Sequence, residues 1–183
     1  MKEKIFSGEG MDETWQQLQN DLESNAPVLE YTALLQTGGK SVTFSMDIDP
    51  GGGFESGFST TLFSAPLHRA HHLHLSLHKE HFLDEAGKLL GMQDVEIGFA
   101  DFDKKVIIKT NDEALARKAF SSSFVQSVLG TIDDYQLKIR RHDVDEKEHS
   151  FLELSIEERV PELDELKKIF EAFCQILSAI EEN

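Results

Sequence analysis

Residues 41–48, Ser-Val-Thr-Phe-Ser-Met-Asp-Ile, alternate between polar and apolar without a break. Successive side chains of an extended chain point to opposite faces. Val42, Phe44, Met46 and Ile48 therefore share one side, and Ser41, Thr43, Ser45 and Asp47 the other. Such a segment can bury only one face, so it demands a sheet packed on one side and wet on the other, which is the habit of antiparallel sheets. Two later segments repeat the pattern. Tyr135, Leu137 and Ile139 oppose Gln136, Lys138 and Arg140, while Leu152, Leu154 and Ile156 oppose Glu153, Ser155 and Glu157. "PVLEYTALLQ", "FSTTLFSA" and "FDKKVIIKT" also read as strands.

The connections follow from turn chemistry. Gly38-Gly39 predicts a tight β-hairpin into residues 41–49. "DPGGGFESG" predicts a longer turn rich in residues that accept positive φ. Pro66, which has no N–H to give a ladder, is expected to break the chain before the next strand. The charged run "DVDEKEH" is expected to be the loop joining the last two strands.

The covering layer must be helical. Met11, Trp15, Leu18 and Leu22 form one apolar stripe over residues 11–23. Residues 82–90 read as a short helix closed by Gly91. Residues 111–130 read as helix capped by Thr110 or Asn111, with a break near Ser121–Ser123. Pro161 suits a first helical position, and Leu163, Leu166, Phe170, Phe173, Leu177 and Ile180 then recur at three and four. Ile169 and Ile176 widen that stripe beyond a coiled-coil seam, so its expected partner is the chain's own sheet. A homodimer docked through this C-terminal helix is the competing expectation. The 183 residues suffice for one domain, residues 1–183. The expected fold is α+β and two-layered, a mostly antiparallel sheet of about 6–7 strands with the long C-terminal helix packed on one face.

Thirty-four acids against eighteen bases leave a formal charge of −16, which repels phosphate backbones and argues against nucleic acid as a partner. The basic pairs Lys104-Lys105, Arg140-Arg141 and Lys167-Lys168 are each diluted by neighbouring acids. No apolar run is long enough for a membrane span, and "MKEKIFSGEG" lacks the apolar core of a secretory signal, so the expected location is cytoplasmic. The lone Cys174 fits a reducing compartment and reads as a core thiol among Phe170, Phe173 and Leu177.

The densest cluster is "HRAHHLHLSLHKEHF", residues 68–82, which holds six of the eight histidines. Read as a strand, it turns Leu73, Leu75 and Leu77 inward and leaves His68, His72, His74 and His78 on the wet side. His72 and His74, two apart on one face, suit a zinc ion. A third ligand must come from elsewhere, with Asp47, Asp49 and Glu55 as candidates. The competing readings are a pH-responsive patch and a polar strand face that binds no metal or other cofactor.

A second dense patch is "GMQDVEIGFADFDKKVIIKTND". Its acids surround Gly98, but their spacing does not match an EF-hand loop, which argues against calcium. The plain reading is a polar turn with Gly98 at a special backbone angle, Phe102 anchored in the core and Asp103 bonding local amides. The run Asp94-x-x-x-Gly98-x-x-x-Phe102-Asp103, followed by "VIIKTND", resembles a segment of uncharacterised bacterial domains over roughly residues 75–130. The resemblance implies a bacterial origin and marks Asp94, Gly98, Phe102 and Asp103 as motif positions; it brings no activity with it.

Nucleotide-binding, hydrolase-elbow and zinc-protease motifs are all missing, although catalytic groups also assemble from distant positions. The chain therefore reads first as a non-catalytic protein-interaction or regulatory module acting on an unknown protein partner. The alternative is a small-ligand domain with an apolar, lipid-like pocket between sheet and helix. A metal-binding protein or hydrolase built on the histidines ranks third.

Overall fold

The computed structural model describes residues 4–25, 28–51, 57–68, 72–79, 93–144, 147–157 and 161–182. The expected helix at 82–90 lies outside the described residues. Strand β1 (Lys4–Ser7) leads into helix α1 (Met11–Ser24), then β2 (Glu30–Thr37), β3 (Lys40–Asp49), β4 (Phe58–Leu67), β5 (Leu75–Lys79) and β6 (Gln93–Asp94). Helix α2 (Ala100–Asp103), β7 (Val106–Thr110), α3 (Glu113–Ala119), α4 (Ser123–Thr131), β8 (Tyr135–Val144), β9 (Lys147–Glu157) and α5 (Leu163–Glu181) complete the order.

The described strands form one sheet in the order β1-β2-β3-β4-β9-β8-β5-β7-β6. Only the β1–β2 pairing is parallel; the others are antiparallel. The architecture is thus the α+β sheet expected from the alternation, with nine strands where about 6–7 were read. The two short edge strands account for most of the excess. Four residues in β1 and two in β6 are too few to show a period of two.

The β2–β3 hairpin turns on Gly38 and Gly39 with φ of 54° and 76°, between the paired Thr37 and Lys40. Positive φ at both central residues is what this tight turn requires, and glycine adopts it without strain.

Several boundaries depart from the sequence reading. Helix α5 begins at Leu163 with Glu162 as its N-cap, so Pro161 precedes the helix and does not occupy its first position. Pro66 lies inside β4, opposite Phe151 of β9. Pairing of β4 with β3 stops at Ser64, so the imide nitrogen sits beyond the two-sided part of the ladder. "DVDEKEH" is mostly strand, because His142 pairs with His149 and Val144 with Lys147. Phe102 belongs to the short helix α2 rather than to the following strand.

The core lies between the sheet and the helices. Trp15 of α1 stacks on Phe170 of α5 at 5.7 Å, and Phe63 of β4 meets Phe170 and Phe173 at 6.0 Å. The apolar stripe of α5, from Leu166 to Ile180, is buried in this layer. Helix α5 is thus docked on the chain's own sheet. Its neighbour α1 is tied to the sheet edge by Asp21, which accepts hydrogen bonds from the Lys4 ammonium at 2.6 Å and the Tyr31 hydroxyl at 2.7 Å. Burial works against the Asp21 carboxylate, but the bonds from Lys4 and Tyr31 and the Lys4 charge together outweigh it and hold its pKa below the usual value.

The opposite face carries no described helix. Its residues form rows across the strands. One row runs Ile5, Leu34, Thr43, Ser64, Glu153, Lys138, Ser76, Lys109 and Asp94; the next runs Thr32, Ser45, Leu62, Ser155, Gln136, His78 and Ile107. Over β2, β3, β4 and β9 these rows are dominated by small hydroxyl side chains.

Candidate functional site

The histidine segment is not one strand. Extended pairing begins only at Leu75; His72 lies in a turn, His74 precedes the strand, and His68 follows the end of β4. The leucines do point inward, and Leu73, Leu75 and Leu77 are all buried. His68, His72 and His74 are exposed, but they do not share a strand face. His71 and His81 lie outside the described residues.

His78 corrects the wet-face expectation. It does point away from the leucines, between Gln136 of β8 and Ile107 of β7. Yet it is only 2% exposed, and neither ring nitrogen has a hydrogen-bond partner among the described residues. Burial, reinforced by the nearby Lys109 charge and partly offset by Asp94, lowers its pKa. The ring is held neutral in the fold.

A polar clamp sets the segment's path. The side-chain oxygen of Asn111 accepts from the His74 N–H at 2.7 Å, and its amide nitrogen donates to the His72 carbonyl at 2.7 Å. The Thr110 hydroxyl donates to the His74 carbonyl at 2.8 Å. The helix cap expected at Thr110 or Asn111 falls on the following residue: Asp112 caps α3 by accepting from the Leu115 N–H at 3.0 Å. Thr110, Asn111 and Asp112 thus act on backbone, and the clamp bridges segments more than thirty residues apart, a partnership that local patterning does not reveal.

Folding gathers the other histidines. Strand β4 ends opposite Ser150 and the β5–β8 pairing ends at Lys138, so β8 and β9 run on alone as a two-stranded arm. His142 and His149 face each other across it. His142 Nε2 lies 2.9 Å from a Glu153 oxygen, Arg140 binds that carboxylate at 3.2 Å, and Arg141 reaches the His74 ring at 3.3 Å. His68, His72 and His74 lie at this same end. Asp47 and Asp49, offered as further zinc ligands, sit at the opposite end of the sheet, where Asp47 pairs with Glu30 and Thr60; Glu55 lies outside the described residues. Among the described residues no group of three or more His, Cys, Asp or Glu side chains has an arrangement that holds a metal. His72 and His74 therefore have no third ligand in view.

The motif residues build a turn. Asp103 accepts from the Ile97 N–H at 3.0 Å and from the Gly98 N–H at 2.9 Å. Gly98 has φ of 89°, which a side-chain-bearing residue adopts only at a cost. Phe102 is buried and packs on Phe120 at 6.4 Å. Asp94 lies 3.8 Å from Lys109 across the β6–β7 pair. Asp103 and Gly98 thus fix the turn backbone, Asp94 lies across a strand pair, and Phe102 anchors the turn in the core. Cys174, read as a core thiol, is buried, and desolvation pushes its thiol up to about 12, so little thiolate forms near neutrality.

Two clefts flank α5. One, of about 550 Å³, lies at the histidine end and is lined by Lys40, Ser41, Pro66, His68, Leu177 and Glu181 among others. The other, of about 360 Å³, opens where the end of α1 meets the start of α5 over β3. Its lining is Leu22, Val28, Met46, Pro161, Leu163 and Leu166, with Glu23 and Glu162 as the charged members. Sequence reading placed most of these apolar residues in core stripes or strands; none marks a cleft, because the cleft arises from how element ends meet.

No family model matches the chain, nor does any curated protein or solved structure compared with it. Among the described residues no helix is long and apolar enough to cross a membrane.

Proposed function

We propose that this chain is a non-catalytic protein-interaction module, working through the part of its sheet formed by β2, β3, β4 and β9, on the face that carries no described helix. The observation that carries the reading is the one-sided layering. The described helices lie on one face, and the other presents Thr43, Ser45, Leu62, Ser64 and Ser155 in cross-strand rows. Small half-buried side chains on a broad sheet let a partner approach the backbone closely, and Ile5, 55% exposed beside Leu34, gives one border an apolar anchor. Asp103 and Asn111 hold backbone, and the Cys174 thiol is buried.

A small-ligand reading draws support from the clefts at the two ends of α5 and not from a central pocket, since the space between the sheet and the middle of α5 is filled by Phe44, Phe63, Phe170 and Phe173. The two readings separate by selection of a displayed random-peptide library on the purified chain. Enriched peptides of micromolar affinity that weaken by about tenfold or more on Leu62→Arg or Ser45→Arg support the module. Recovery of no peptide, together with strong thermal stabilisation by an apolar metabolite, transfers the protein to the ligand-binding class.

A further inference from the structure

We infer that the cleft between the end of α1 and the start of α5 receives an apolar side chain of a partner polypeptide whose flanking residues are Lys or Arg. This rests on the interaction-module reading and adds to it a second site, on the helix-bearing side of the sheet toward which Met46 points, and a chemistry. The cleft floor and walls are Leu22, Met46, Pro161 and Leu166, all buried, with Val28 and Leu163 half-buried at its mouth. A volume of about 360 Å³ lies at the small end of ligand sites, suited to an inserted side chain rather than a large cofactor.

Among the described lining residues the charge has one sign. Glu23 and Glu162 are the charged lining residues, and the Glu162 side chain makes no capping hydrogen bond to α5. Both are exposed, and they come from the two helix ends that frame the opening, Glu23 from the last turn of α1 and Glu162 from the residue preceding α5. Leu29, 54% exposed, follows Val28 at the mouth, and its carbonyl accepts from the Ile48 N–H at 2.7 Å, which fixes it to β3. Apolar anchors inside an acidic rim select a basic, apolar segment and repel an acidic one.

The test uses the full chain and three fluorescein-labelled twelve-residue peptides in a Gly/Ser background. The first carries two leucines flanked by lysines. The second has glutamates in place of the lysines, and the third has alanines in place of the leucines. Anisotropy titration is expected to give saturable binding of the first, with the other two weaker by about tenfold or more. Leu163→Arg, which fills the mouth from a half-buried position, is expected to remove binding of the first peptide. The double variant Glu23→Gln/Glu162→Gln is expected to weaken it about fivefold and to flatten its salt dependence; unchanged melting temperatures show that both variants remain folded. Equal binding of the lysine and glutamate peptides overturns the proposal, as does an unaffected Leu163→Arg. If Leu62→Arg removes binding and Leu163→Arg does not, the module reading stands and the cleft assignment falls. If no peptide binds but octylammonium raises the melting temperature of wild type and not of Leu163→Arg, the occupant is a small amphiphile and the proposal is wrong.

Discussion

His78 is the side chain with most to lose in acid. Its ring is buried and unpartnered among the described residues, and its folded pKa lies below the ordinary 6.5. As pH falls through 6.5, the unfolded chain takes up a proton that the folded chain refuses, so stability is complete above that value and drains away below it toward the folded pKa. Wild type is therefore expected to lose unfolding free energy between pH 7 and 5 by up to about 1.4 kcal/mol per pH unit from this group. His78→Leu should remove that component of the slope, while the carboxylate contributions stay. Urea titrations of both proteins across the range decide it, and parallel slopes would refute the role assigned to His78. The Asn111 clamp makes a second prediction at this scale. Asn111→Ala loses both side-chain bonds to the His72–His74 backbone and is expected to cost about 1 kcal/mol, given the exposure of the site. Amide exchange at His74 should accelerate more than exchange in the core strands. Uniform acceleration would mean that Asn111 supports the whole fold and not this segment.

At the scale of elements, the legible parts were those with one clean period. Strand β3 and helix α5 declare themselves because each buries a single face, and both faces meet in the same core. Helix α5 carries nine buried residues, and Phe170 lies at its centre, against both Trp15 and Phe63. Phe170→Ala is expected to cost about 3–5 kcal/mol and to shift Trp15 emission, since the indole loses its stacking partner. A loss under about 1 kcal/mol would show that the layers close up over the gap. What stayed hidden were elements whose signal is not their own. The histidine segment looked extended because its leucines alternate, but only Leu75–Lys79 finds partners, on β7 and β8. The residues before them follow a path dictated by Asn111 and Thr110. The "DVDEKEH" run looked like a loop because charge outweighs alternation, whereas the ladder from Tyr135 to Val144 carries the strands through it. The turn around Gly98 was legible for the opposite reason, since its partner Asp103 lies five residues away and the chemistry is local.

Across the whole molecule charge is the property that stands out, and its distribution matters as much as its sum. Thirty-four acids face eighteen bases, and where they meet is set by strand pairing: Arg140 and His142 converge on Glu153, Arg141 reaches Glu148 and Lys79 reaches Asp133. Composition alone revealed the excess, but these partnerships depend on strand order, which alternation does not fix. An uncompensated charge of this size repels itself in the compact state, and the exposed ion pairs that oppose it contribute only about 0–1 kcal/mol each. Salt screens both, yet it weakens the repulsion more, because dispersed acids repel over distances beyond the Debye length while contact pairs attract well within it. At pH 7.5, where His78 adds nothing to the balance, raising NaCl from about 20 mM to about 500 mM shortens that length roughly fivefold. The melting temperature is expected to rise monotonically across this range by several degrees, as a gain of about 1 kcal/mol does for a domain of this size. The interaction-module reading adds the opposite trend for binding, since the same screening weakens attraction between the acidic cleft rim and a lysine-bearing peptide. Scanning calorimetry and anisotropy at matched salt concentrations should therefore diverge, stability rising as affinity falls. A melting temperature that drops with salt would mean that contact ion pairs, not self-repulsion, govern the electrostatics of the fold.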